Sequence, residues 1–104
     1  MRFLVVTKSK HPTPPEAVVP LFEALQQWVQ RHTQNKKIEQ VWNFAGIPGG
    51  GGILNVNSLE ELDSIMVEFP LGPFSDIEIY GLGDVNVGIQ GVIAAAKAMS
   101  APKR

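Results

Sequence analysis

The sequence predicts a single α+β domain in the order strand, helix, strand, strand, helix, strand, followed by an apolar helix at the C-terminus. Three observations predict it. Period-two patterning marks four short strand stretches, most plainly Asp76-Ile77-Glu78-Ile79-Tyr80. Two longer stretches carry their apolar residues at helical spacing. Pro70 and Pro73, with Gly72 between them, forbid helix just before the last strand, because proline lacks an amide donor and clashes with the preceding turn. The chain has 104 residues, which bounds it to one domain with a core of its own.

Residues 2–8 read as the first strand. Phe3 and Val5 point one way, Leu4 and Val6 the other. A strand apolar on both faces is covered on both. Thr13 suits a helix N-cap, with Pro14 at the first helical position and Glu16 three residues after the cap. Pro20 predicts a kink or a separate first turn. From there Leu21, Phe22, Leu25, Trp28, Val29 and His32 share one face, and Asn35 suits a left-handed cap. Residues 38–45 read as the second strand, with Trp42 and Phe44 on the face of Ile38. The four glycines Gly49 to Gly52 read as a flexible hairpin connection or lid, and residues 53–57 as the third strand.

Ser58 and Glu61 form a capping box for the second helix, whose buried stripe is Leu62, Ile65, Met66 and Phe69. The fourth strand covers 75–80, with Ile77 and Ile79 on one face and Asp76, Glu78 and Tyr80 on the other. Phe69, Leu71 and Phe74 are too apolar for an ordinary exposed loop; they plug one end of the core or line the mouth of a pocket. This order is the split βαβ arrangement of ferredoxin-like domains: a four-stranded antiparallel sheet with both helices on one face. The other face stays open unless a second copy covers it. The domain spans 1–82, and 83–104 form a C-terminal extension. From Val85 to Ala96 that extension has no charge, and Gly88 and Gly91 would let another backbone come close. Such a helix has to be buried, either against a neighbouring subunit or back across its own sheet.

Composition excludes several classes of function. Net charge is −1, so nothing suggests a nucleic-acid footprint. The absence of cysteine excludes thiol catalysis and thiolate metal sites. No stretch has the roughly 20 apolar residues needed to span a bilayer, and a soluble cytoplasmic protein is expected. Only 18% of residues are charged, which suggests surface hidden in a homo-oligomer. The glycine run lacks the lysine and following helix of a phosphate loop, and two isolated histidines make no metal site.

Three stretches resemble the muconolactone isomerase family: Val41 to Gly46, Val56 to Leu62, and Phe69 to Ile79 with its Pro-Leu-Gly-Pro-Phe-Ser-Asp-Ile-Glu core. The opening Met1 to Val5 also fits. The resemblance covers roughly residues 1–82. It implies a dimeric α+β barrel with two sheets face to face, assembled into a larger homo-oligomer. It also implies a cofactor-free proton shift on a small carboxylated lactone or related cyclic compound, within aromatic-compound catabolism. The chain differs from the family pattern at Asn43, where the family carries an arginine, and at Gly83 to Val87, where it carries an Arg-His segment. These differences motivate an alternative: a non-enzymatic small-molecule binding or assembly protein on the same fold.

A proton shift next to a carbonyl needs a base within hydrogen-bond reach and donors for the developing enolate. The proton-transfer candidates are His11 in the loop after the first strand, Glu23 among apolar neighbours on the first helix, and Glu78. Asp76 and Glu78 stand about 7 Å apart on one strand face and could divide acid and base roles. The bland readings are an ordinary loop histidine, a carboxylate solvated at the stripe's edge, and polar residues at an interface rim. His32 reads as a boundary histidine near a helix C-terminus. Trp42, Asn43, Phe69, Phe74 and Tyr80 are the candidates for a substrate pocket.

Overall fold

The computed structural model describes residues 1–100. Strand β1 (Arg2–Ser9) leads to helix α1 (Pro15–Gln34), then β2 (Ile38–Asn43) and β3 (Gly49–Asn55). Helix α2 (Leu59–Val67) follows, then a single 3-10 turn (Gly72–Phe74), β4 (Ser75–Leu82) and helix α3 (Val85–Ser100). The sheet has the order β2-β3-β1-β4 and is antiparallel throughout. This is the ferredoxin-like arrangement that the sequence predicts, with α3 appended. Residues 101–104 of the expected extension lie outside the described residues.

The core occupies one end of the sheet's helix-bearing face. Val5, Leu54 and Ile38 project from β1, β3 and β2 and meet Trp28 of α1, Leu62 and Ile65 of α2, and Phe69. Val56 is completely buried. The indole of Trp28 ties the two helices together by donating to the Ile65 carbonyl at 3.1 Å, and its ring packs edge-on against Phe69 and His32. The capping box of α2 forms. The Ser58 hydroxyl accepts from the Glu61 amide at 3.1 Å, and the Glu61 carboxylate reaches back to the Asn57 amide, one residue beyond the cap.

Several local expectations are corrected. The N-cap of α1 is Pro14, not Thr13, and no side chain caps it; Pro15 takes the first helical position, where its missing amide costs nothing. Pro20 lies inside a helix that continues through it, so there is no separate first turn; as the sixth helical residue it forgoes the amide bond to the Glu16 carbonyl. At the other end the left-handed residue is Lys36 (φ 61°), not Asn35. The Lys37 amide donates to the His32 carbonyl and the Lys36 amide to the Thr33 carbonyl, the paired bonds of a Schellman motif.

The second strand stops at Asn43, and a bulge between Ile38 and Gln40 shifts its register. Beyond the bulge Trp42 pairs with Gly51, on the sheet face opposite Ile38 and Leu54. The glycine run is not a loop. Gly49 to Gly52 are the first residues of β3, paired with both β1 and β2. The turn lies earlier, at residues 44–48, where Gly46 takes a left-handed φ of 85°.

Helix α3 starts on an Asp84 cap, whose carboxylate accepts from the Val87 amide at 2.9 Å. All its residues are exposed, so it does not fold back on its own sheet. The molecule measures 70 × 29 × 24 Å. No helix among the described residues is long and apolar enough to cross a membrane.

Candidate functional site: a glycine-floored cavity

The end of the sheet away from the core is a cavity of about 700 Å³ between the sheet and the N-terminal half of α1. The sequence explains why it is open. Leu54, Gly52 and Gly50 alternate onto the helix-bearing face of β3, paired in turn with Phe3, Val5 and Thr7 of β1. Leu54 fills its share of the space and is buried. The two glycines have nothing to offer, so the gap between sheet and helix is left unfilled. Val18, Phe22, Leu25 and Val29 of α1 form the roof.

The strands come too close for side chains here. A β-carbon on Gly50 would lie 2.6 Å from the Trp42 carbonyl oxygen, and one on Gly51 would lie 2.9 Å from the Val5 carbonyl oxygen and the Trp42 indole nitrogen. The glycine run is therefore dictated by close packing of three strands as well as by the space it leaves.

Phe69, Leu71 and Phe74 close one end of the cavity, and Ser9, Thr13, Asn43 and Ser75 bring polar groups to it. The Thr7 hydroxyl is engaged, donating to the Gly50 carbonyl at 3.2 Å. Among the described residues, no acidic, basic or histidine side chain lines the cavity. A site of this kind holds a ligand by burying its apolar surface and orients it through a few neutral hydrogen-bonding groups.

Of the sequence-predicted pocket residues, Asn43, Phe69 and Phe74 lie together around this cavity, and Trp42 borders its floor from the opposite sheet face, with its indole against Gly51. Tyr80 does not: it sits on the opposite face of the sheet, where its hydroxyl donates to the Glu78 carboxylate. That contact raises the Tyr80 pKa above the ordinary phenol value, through the hydrogen bond first and the negative charge second. Glu78 shares this open face with Asp76, which pairs with Lys10 at 3.5 Å. Glu23 borders a shallow groove along α1, with Val19 and Gln26, that shares Val18, Phe22, Leu25 and Val29 with the roof of the cavity. His11 lies in the loop between Ser9 and Thr13, both of which line the cavity. Its amide and that of Lys10 donate to the Phe74 carbonyl at 3.1 and 2.8 Å, which fastens this loop to the closing turn.

The three proton-transfer candidates thus occupy three places: the rim loop, a groove beside the roof on α1 and the far face of the sheet. His32 is buried, with its Nε2 3.6 Å from a Glu68 carboxylate oxygen. No cluster of His, Asp and Glu suited to a metal ion occurs among the described residues. Residues that sequence reasoning missed are Thr7, Ser9 and Ser75 on the polar side, and Gly50 and Gly52 as the floor. The available signal was the period-two continuation of Phe3-Val5-Thr7 opposite a run without side chains.

Comparison with known proteins agrees with this fold. No curated protein matches the chain. Among solved structures, a crystal structure of muconolactone isomerase superposes with a TM-score of 0.74 at 28% identity, covering 81% of this chain and 90% of that one. A 5-chloro-2-hydroxyhydroquinone dehydrochlorinase from Burkholderia phenoliruptrix, solved with 2,5-dihydroxybenzoquinone, shares the fold with a TM-score of 0.65 at 14% identity, over 84% of this chain and 98% of that one. The family model for muconolactone delta-isomerase matches residues 1–86, from the first strand to the start of α3. The chain belongs to the muconolactone delta-isomerase family.

Proposed function

We propose that this protein is an isomerase-like member of its family that holds a small unsaturated cyclic compound in the cavity under α1 and shifts a proton on it without a cofactor. The observation that carries the proposal is the cavity itself. It is about 700 Å³, mainly apolar, and formed within the residues that the family model matches; ligand sites commonly have volumes of about 300–1,000 Å³. His11 is the first candidate for the base, because its loop forms the rim and is tied to the closing turn at Phe74. Trp42, Asn43, Phe69 and Phe74 shape the pocket. Assembly as a homo-oligomer belongs to the same reading, since the open sheet face and α3 both leave apolar side chains uncovered, among them Leu82, Ile89 and Ile93.

The second reading is a protein of this fold that binds its small molecule without transforming it. The absence of any acid or base among the lining residues favours it. Turnover of muconolactone and of its methyl ester, followed by ultraviolet absorbance, separates the two. The enzyme reading expects turnover of at least one compound, lost in His11→Ala or in one of Glu23→Gln and Glu78→Gln. No turnover of either compound at high protein concentration, together with binding of either, selects the second reading.

A further inference from the structure

We infer that the cavity selects an uncharged ligand larger than a single ring, with a hydroxyl or carbonyl at one end, and discriminates against the carboxylate of the same ring system. This rests on the cavity being the ligand site and does not depend on whether chemistry follows binding.

Charge selection follows from the lining. Removing a carboxylate from water is costly unless a cation or several donors replace its hydration. Among the described residues, the cavity presents no lysine, arginine or histidine. The cations nearest in the sequence lie off the cavity: Lys8 falls on the opposite face of β1, in register with Asp76 of β4, and His11 is in the rim loop and not among the lining residues. Lys10 faces Asp76, and Arg2 pairs with Glu39 through contacts of 2.6 and 3.1 Å at the far end of β1. What remains is neutral: Asn43, Ser9, Thr13 and Ser75. Such groups pair well with a phenolic hydroxyl or a ring carbonyl. The absence of acidic residues from the lining equally disfavours a cationic ligand.

Size follows from the volume. A cavity of roughly 150 Å³ is enough for benzene, and this one is several times larger at about 700 Å³. Its roof and end wall are the aliphatic and aromatic side chains of Phe22, Leu25, Val29, Phe69 and Phe74. A single polar ring would leave most of that apolar surface wet. A fused bicyclic ring, or a ring bearing an apolar substituent, would bury it.

The test uses 2-naphthol and 2-naphthoate at neutral pH, the same ring system in neutral and anionic form, with phenol as the one-ring control. Binding to the full chain is measured by quenching of tryptophan fluorescence and by amide shifts in two-dimensional NMR. 2-Naphthol is expected to bind at least tenfold tighter than either 2-naphthoate or phenol, with the largest shifts at Asn43, Gly50 and Gly52. Leu25→Trp, which fills the roof, should abolish binding, and Asn43→Arg should raise the affinity for 2-naphthoate. Should Leu25→Trp fail to fold, the amide shifts of the unmodified chain still locate the ligand.

Equal or tighter binding of 2-naphthoate, with shifts at the same three residues, overturns the charge selection while leaving the cavity as the ligand site. Phenol binding as tightly as 2-naphthol overturns the size selection in the same way. Shifts confined to α3 or to the opposite sheet face, or no binding of any of the three, overturn the inference together with the cavity reading beneath it.

Discussion

At the scale of single residues, the site depends on what side chains leave out. Gly50 and Gly52 face α1 and present no bulk, while Gly50 also brings its backbone against the Trp42 carbonyl. Gly50→Ala would place a methyl group 2.6 Å from that oxygen. The backbone cannot yield as a flexible side chain would, so the strands must separate. A loss of about 1–3 kcal/mol in stability is expected, measured by urea denaturation. A neutral result would show that β2 and β3 can spread freely. A second residue-scale prediction concerns Tyr80, the only tyrosine in the chain, whose ionisation can therefore be followed by phenolate absorbance without interference. Its proton is held by the Glu78 carboxylate, first as hydrogen-bond acceptor and then as negative charge. The sign is that of a group whose folded pKa is raised. Its contribution to stability is complete below the ordinary phenol pKa of about 10 and is lost as the pH rises through the higher folded value. Glu78→Gln is expected to move the phenol titration back down towards the ordinary value. An unmoved titration would mean that the contact does not persist in solution.

At the scale of elements, the sequence shows period and capping well but shows long-range pairing badly. Lys36 illustrates the first point. The end of α1 satisfies a Schellman motif in every bond, yet places a lysine at the left-handed position that glycine favours. Left-handed backbone costs a non-glycine residue roughly 1–2 kcal/mol, so Lys36→Gly is expected to stabilise the protein by about 1 kcal/mol after the entropy of an unfolded glycine is deducted. The midpoint of thermal or urea unfolding measures it. The capping box of α2, the stripe from Leu62 to Phe69 and the alternation in β4 were legible because each is set by neighbours within a few residues. The glycine run was not legible. Glycine is poor in strands by propensity, and only pairing with β1 and β2, more than 40 and about 10 residues away by register, makes it one. The bulge after Ile38 was equally invisible, and it changes the meaning of a tryptophan. Trp42 is placed with the core by strict alternation, yet it pairs with Gly51 on the other face and is 38% exposed, whereas Trp28 is 7% exposed. Trp28→Ala is therefore expected to cost about 3–5 kcal/mol, since it opens the core and leaves the Ile65 carbonyl without its donor. Trp42→Ala should cost clearly less and should change ligand binding instead. Similar losses from the two substitutions would restore Trp42 to the core.

At the scale of the whole molecule, the unresolved tension is between a folded domain and a helix that touches little of it. Helix α3 runs for 16 residues, about 24 Å at the helical rise. Val85, Val87 and Val92 are about 70% exposed, and Met99 is 88% exposed. An isolated helix of this length is marginal in water, and one that is apolar nearly all round gains nothing from solvent. Full burial of a side chain such as Ile89 or Ile93 is worth roughly 1.5–3 kcal/mol, so packing against another surface stabilises both the helix and whatever it meets. The chain's own sheet is not that surface, because α3 begins at an Asp84 cap and leads away from β4, which stretches the molecule to 70 Å. A second copy offers what is missing: an open sheet face with Leu82 and Trp42 exposed on it, and another α3. Removal of residues 85–104 leaves all four strands, α1 and α2, and with them the whole core around Val56 and Trp28. The shortened chain is expected to keep its sheet, as read by circular dichroism, and to show a lower molar mass by light scattering than the full chain. Ile89→Asp with Ile93→Asp should reproduce that drop in mass without shortening the chain. If the mass of the truncated and substituted proteins equals that of the full chain, α3 makes no contact between subunits, and its apolar surface requires a partner other than a copy of itself.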